Sequence, residues 1–187
     1  MSSPDVERER LFFALWPDPL VRARLETLVR ETVARNGRPV TAEKLHLTLA
    51  FLGSRTPEER DCMTAAAAQV SVAPFTVCVD QVGHWRRPRI LWAGASTTPP
   101  ALIELVGALN RHLAPCGYQP ESRPFQAHLT LARKAARPFP LSPVEPIFWP
   151  VDSFCLARSV TASSGSTYEI LRTWPLGQAP AAGAPEP

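Results

Sequence analysis

The pentapeptide His-Leu-Thr-Leu-Ala stands twice in this chain, at His46–Ala50 and again at His128–Ala132. Each copy alternates leucine with a polar residue, the period-2 pattern of a half-buried β-strand. The stretches that lead up to the two copies are alike as well. Arg10–Leu15 reads as a strand and is followed by Asp18 and Pro19, an N-cap with proline at the first helical position. Val21, Leu25, Leu28 and Val29 then form an apolar helical stripe that fades at Asn36 and Gly37, just before the first pentapeptide. Downstream, Arg89–Gly94 is strand-like and Thr97–Pro100 opens a helix. Its stripe is Leu102, Leu105, Val106, Leu109 and Leu113, and it ends at Cys116 and Gly117. Arg10 precedes His46 by 36 residues, and Arg89 precedes His128 by 39. Two strand–helix–strand units of matched length with the same ending predict an internal duplication, over about 10–53 and 89–133.

The rest of the chain fits this plan. Thr56 and Glu59 form a capping box opening a helix that runs to about Val70. Phe75–Asp80 is expected as a strand of the first lobe, and Ile147–Leu156 and Thr167–Trp174 as strands of the second, joined by a turn at Ser163–Ser166. The proline-rich stretch Arg137–Pro146 reads as a surface loop, and Gly177–Pro187 as a disordered tail rich in proline and alanine. The expected fold is α+β, with two pseudo-symmetric lobes, each a small, mostly antiparallel sheet backed by helices. The active-site cleft lies between them, within one bilobal domain over residues 1–176.

Composition narrows the function classes. Hydrophobic residues make up 45% and charged residues 20% of 187 positions, as in a globular domain. No apolar run approaches the ~18 residues of a membrane span. Met1–Arg10 is polar and lacks a signal-peptide core, so a cytoplasmic location with no membrane partner is expected. Cys62, Cys78, Cys116 and Cys155 are widely spaced without a CxxC pair, which predicts free thiols and no zinc site. Of 20 basic residues two are lysines (Lys44 and Lys134) and 18 are arginines, with a net charge of only +3. That balance permits an RNA partner without requiring one.

Half of the four histidines, then, lie inside the repeat. Histidine titrates near neutral pH and serves as either acid or base. Two imidazoles facing one phosphate supply a base for the nucleophile and an acid for the departing oxygen, with no metal or other cofactor. Thr48 and Thr130, two residues on, share the histidines' strand face, and their hydroxyls suit non-bridging phosphate oxygens. Arg133, just after the second copy, adds a charge-assisted donor. A structural duplication alone gives no reason to keep histidine twice. Outside the repeat, His112 reads as a surface residue on the second amphipathic helix. His84 belongs to the basic, aromatic stretch Gly83–Arg89, which reads equally as an RNA contact with base stacking on Trp85 or as a solvated turn. Phe51 and Tyr168 are further candidates for stacking on a terminal base, although strand parity puts Phe51 with the core leucines.

Three stretches carry a family resemblance: Arg10–Leu15, Leu45–Gly53 and Arg123–Arg133. Ser159, Gly165, Tyr168–Leu171 and Trp174–Leu176 extend it nearly to the end. The chain resembles the two-histidine phosphoesterase superfamily with its paired HxTx motifs, and within it the RNA 2′,3′-cyclic phosphodiesterases, also known as 2′-5′ RNA ligases. Ala127 departs from the pattern, since relatives commonly carry proline before the second histidine. The resemblance implies metal-independent opening of a terminal RNA 2′,3′-cyclic phosphate to a 2′-phosphate. It implies His46 as proton donor to the 3′ oxygen, His128 as proton acceptor from water, and Thr48, Thr130 and Arg133 as phosphate holders. The implied partner is RNA with such an end, tRNA fragments or small nucleotides, acted on by a monomer. Two other readings stay open: ATP-independent 2′-5′ ligation as the main reaction, and an RNA- or nucleotide-binding module without turnover.

Overall fold

The computed structural model describes residues 8–34, 36–162 and 165–177. The expected turn at Ser163–Ser166 and the tail after Gly177 lie largely or wholly outside them. The strands are β1 (Glu9–Leu15), β2 (Arg38–Pro39), β3 (Leu47–Arg55), β4 (Phe75–Trp85), β5 (Ile90–Gly94), β6 (His128–Arg133), β7 (Ser142–Val151), β8 (Ser153–Ala162) and β9 (Gly165–Pro175). Three helices accompany them: α1 (Pro19–Val33), α2 (Pro57–Ala67) and α3 (Pro100–Leu113). None of these helices is long and apolar enough to cross a membrane.

All nine strands form one antiparallel sheet, along the path β7-β4-β5-β6-β3-β1-β8-β9 with β2 added beside β6. The two halves of this α+β fold join where β3 meets β6, through the single residue pair Leu47 and Leu129. These are the first leucines of the two pentapeptides. Reading outward from that pair, β3, β1, β8 and β9 stand in the same order as β6, β5, β4 and β7, so the strand order is mirrored about the join.

Local signals set the helix ends. Asp18 accepts from the backbone N–H groups of Leu20 and Val21 at 2.7 and 2.9 Å, capping α1. Thr56 and Glu59 make the capping box of α2, Thr56 N donating to Glu59 at 2.8 Å. Leu25, Leu28 and Val29 of α1 and Leu102, Leu105 and Leu109 of α3 are buried in the main core. Burying such a side chain contributes about 1.5–3 kcal/mol. The helices cross over: α1, from the first unit, packs on β6 and β7, and α3, from the second, packs on β3 and α2.

Five expectations are corrected. Phe75–Asp80 belongs to β4, which pairs with β5 and β7 and so sits in the second half. The stretch expected as one strand, Ile147–Leu156, divides at Asp152, with β7 in the second half and β8 beside β1 in the first. Thr167–Trp174, expected in the second lobe, lies in β9, which pairs with β8 and so also sits in the first half. Tertiary pairing, not local pattern, chose the half in each case. Ser142–Pro146 of the presumed loop is the start of β7, where alternate residues of a sheet-edge strand tolerate proline. Finally, Cys62 and Cys116 are bonded, with Cα atoms 5.8 Å apart across a separation of 54 residues, linking α2 to the turn after α3. Spacing cannot reveal such a pairing. Cys78 and Cys155 are free thiols, as expected.

Candidate active site

Both pentapeptides carry a β-bulge at their second leucine. Opposite β1, Phe13 pairs with Ala50 and Ala14 with Thr48, leaving Leu49 as the extra residue. Opposite β5, Leu91 pairs with Ala132 and Trp92 with Thr130, leaving Leu131 as the extra residue. A bulge inverts strand parity beyond it, so the fifth residue after each histidine turns back to the cleft face. Those residues are Phe51 and Arg133. Phe51 is therefore 48% exposed on the cleft, and its expected core position is corrected. Arg10 lies over its ring, 5.5 Å from the centroid.

The two imidazoles are held alike. His46 Nδ1 donates to the Lys44 carbonyl at 2.7 Å, and His128 Nδ1 donates to the Gln126 carbonyl at 2.8 Å. Each donation is to the residue two before the histidine and fixes the tautomer, leaving Nε2 for chemistry. His46 Nε2 lies 3.1 Å from the Thr48 hydroxyl, which donates to it while the ring is neutral. No such bond joins His128 to Thr130, which is half-buried one pleat along β6.

Two cavities flank the join. One, of about 520 Å³, is lined by His128, Trp85, Arg87, Tyr118, Arg123 and Phe125. The other, of about 600 Å³, is lined by His46, Arg10, Arg38, Lys44, Arg133 and Tyr168. Thr48 and Phe51 border both, so they stand on the ridge between the histidines. Trp85 meets His128 edge-on at 4.5 Å and its ring packs on Trp92. Of the two readings of Gly83–Arg89, the structure places Gly83–Trp85 in strand β4 and only Arg86–Arg89 in a turn. His84 is half-buried, and His112 is exposed as expected.

The sequence reading missed the enclosure around His46. Trp16 stacks on it at 5.2 Å, Phe12 lies at 5.0 Å, and Tyr168 meets it edge-on at 5.1 Å. A readable signal existed, because Phe12 and Ala14 alternate with the core residues Leu11, Phe13 and Leu15 and so face the other side. Burial among these rings lowers the His46 pKa to about 4, a carbonyl bond partly opposes this, and the charges of Arg133 and His128 lower it further. Burial, and next the Arg133 charge, lower His128 below the usual histidine range, against the raising effect of the Gln126 carbonyl. Arg133 thus acts on both rings. Among the described residues no three His, Cys, Asp or Glu side chains gather as a metal-binding group.

Comparison with known proteins matches this geometry to a family. The profile of the 2′-5′ RNA ligase superfamily matches residues 16–162. The protein named RNA 2′,3′-cyclic phosphodiesterase in Escherichia coli is 34% identical over 176 residues, covering 92% of this chain and 99% of the relative. Its namesake in Thermus thermophilus is 31% identical over 89% of this chain and 90% of its own length. The crystal structure of E. coli LigT in apo form superposes with a TM-score of 0.84 at 33% identity, covering 92% of this chain and 99% of that one. LigT has also been solved with 3′-AMP and with phosphate. Two histidine–threonine strands meeting at a shared ridge, in a chain this similar throughout, make the protein a member of the 2′-5′ RNA ligase superfamily.

Proposed function

We propose that the protein hydrolyses RNA 2′,3′-cyclic phosphate ends to 2′-phosphates by paired histidine acid–base catalysis. The observation that supports this best is the matched pinning of both imidazoles, each through Nδ1 to the carbonyl two residues back, on either side of the Thr48 ridge. Water attacks phosphorus in line with the bond to the 3′ oxygen. His128 Nε2 takes the water proton as the new P–O bond forms. His46 Nε2–H gives its proton to the 3′ oxygen as that bond breaks, leaving the phosphate on the 2′ oxygen. Each such proton transfer contributes about 10²–10⁴-fold. Thr48, Thr130 and Arg133 hold the non-bridging oxygens, where preorganised donors act most strongly. His46 must be protonated to act as donor, and the negative phosphate raises its pKa from the low value of the empty cleft.

Phe51, Tyr168 and Trp85 form aromatic faces for the terminal nucleoside. One chain carries the whole site, so the enzyme acts as a monomer on RNA ends in the cytoplasm, tRNA fragments or small nucleotides among them. Residues 1–176 make one bilobal domain with duplicated segments 10–53 and 89–133, a reading supported by the strand order mirrored about the Leu47–Leu129 pair.

The test is incubation with an RNA ending in 2′,3′-cyclic phosphate, EDTA present, followed by product identification. A 2′-phosphate is expected. A 3′-phosphate would reverse the leaving group, and binding without turnover would overturn the assignment.

A further inference from the structure

The cavity on the His46 side holds more positive charge than one cyclic phosphate requires. Arg10, Arg38, Lys44, Arg133 and Lys134 all border it, and no carboxylate among the described residues does. Among the described residues none of the five is in an ion pair, so each carries an uncompensated charge at the cavity wall.

The placement of Arg38 is the most telling feature. In the two-residue strand β2 it stands directly opposite Arg133 of β6. Facing residues of an antiparallel pair share a face about 4.5–5.5 Å apart, and like charges there are destabilising. The fold nonetheless clamps this pair in place. Asn36, only 8% exposed, accepts from Ala136 N and Arg137 N at 3.1 and 3.0 Å and donates to the Arg137 carbonyl at 2.9 Å. Val40 N donates to the carbonyl of the bulged residue Leu131 at 2.8 Å. Gly37, at φ +106°, passes so close that a Cβ would lie 2.6 Å from the Arg133 carbonyl oxygen. Lys134 adopts a left-handed φ of 59°, which costs a non-glycine residue energy and is common at functional sites. Four hydrogen bonds, a close glycine and a left-handed lysine thus hold the backbones of two arginines side by side at the wall of one cavity. An anion between them removes the repulsion.

We propose that Arg38, with Lys134 and Lys44, forms a second anion subsite beside Arg133 that takes the phosphodiester preceding the terminal nucleotide. This rests on the assignment of the terminal cyclic phosphate to the histidine ridge. The subsite makes an RNA end, rather than a free cyclic mononucleotide, the preferred substrate. Charge-assisted contacts of arginine with phosphate are strong and geometrically selective.

The experiment compares a dinucleotide carrying a 2′-phosphate with the mononucleoside 2′-phosphate, by affinity, and the matching cyclic phosphates, by kcat/KM. Wild type is expected to favour the dinucleotide by roughly tenfold or more, as one charge-assisted contact supplies. Its affinity should also fall more steeply with salt, by about 0.7 in log–log slope for the extra phosphate. Arg38→Gln should bring the preference towards one, and Lys134→Gln should reduce it in part. Equal losses on both ligands, or no preference in wild type, would overturn the subsite. Should neither cyclic phosphate be hydrolysed while the binding preference disappears in Arg38→Gln, the subsite stands and the proposed reaction fails.

Discussion

The two copies of His-Leu-Thr-Leu-Ala are identical in sequence, and alike in backbone bulge and in the carbonyl that Nδ1 reaches, yet they sit in different surroundings. His46 is enclosed by Trp16, Phe12 and Tyr168 and bonds its own threonine. His128 touches one indole, Trp85, and is free of Thr130. Beyond the bulge the copies diverge outright, with an aromatic ring at Phe51 and a guanidinium at Arg133 in equivalent places. A duplicated strand therefore supplies geometry, and the residues around it supply the role. The division into donor and acceptor follows from neighbours, not from the motif.

The strongest challenge to that division is removal of each histidine in turn. His46→Ala and His128→Ala are each expected to lower kcat on a cyclic-phosphate RNA by about 10²–10⁴-fold with folding intact. Near-wild-type activity in either variant would break the pairing.

The threonines should separate next. Thr48 borders both cavities and bonds His46, whereas Thr130 does neither in the described contacts. Thr48→Val is expected to cost roughly 10²-fold in kcat, as loss of a transition-state donor does, and Thr130→Val less. Equal losses would show that both threonines hold the phosphate alike.

A third prediction concerns acidity. His46 has a folded pKa of about 4 against about 6.5 unfolded. Between these values the unfolded chain binds a proton that the folded chain does not, so stability falls as pH falls from about 6.5 towards 4. Urea midpoints at pH 7 and pH 4.5 should show His46→Gln losing roughly 2 kcal/mol less than wild type over that window. An unchanged difference would remove the buried, neutral imidazole from the account.

The smallest expected effect is that of the enclosure itself. Tyr168→Leu should leave the fold intact and move the His46 titration, followed by NMR, upward towards the ordinary range, because burial is the main cause of its depression. The same titration of His128 should stay put, since Tyr168 does not touch it.

Much of this was legible from the chain alone. Two half-buried strands, two helices with visible caps at Asp18 and Thr56, and two histidine–threonine pairs follow from local chemistry that needs no partner. The misplaced features depend on distant partners. Phe51 faces the cleft only because Leu49 bulges against β1, and no pattern within Leu47–Leu52 shows a bulge. Asp152 ends one half and starts the other because β8 finds β1, some 140 residues away in sequence. The bond between Cys62 and Cys116 joins α2 to the turn after α3, two elements brought together only by tertiary packing. The ring enclosure of His46 brings Phe12 and Trp16, in and just after β1, together with Tyr168 of β9, some 150 residues on.

The central claim, that His46 gives the proton and His128 takes one, is tested most directly by the leaving group. A cyclic-phosphate substrate with sulfur in place of the bridging 3′ oxygen departs as a thiolate and needs no acid. The account predicts that this substrate restores most activity to His46→Ala and none to His128→Ala. Rescue of His128→Ala instead, or of neither variant, would contradict it.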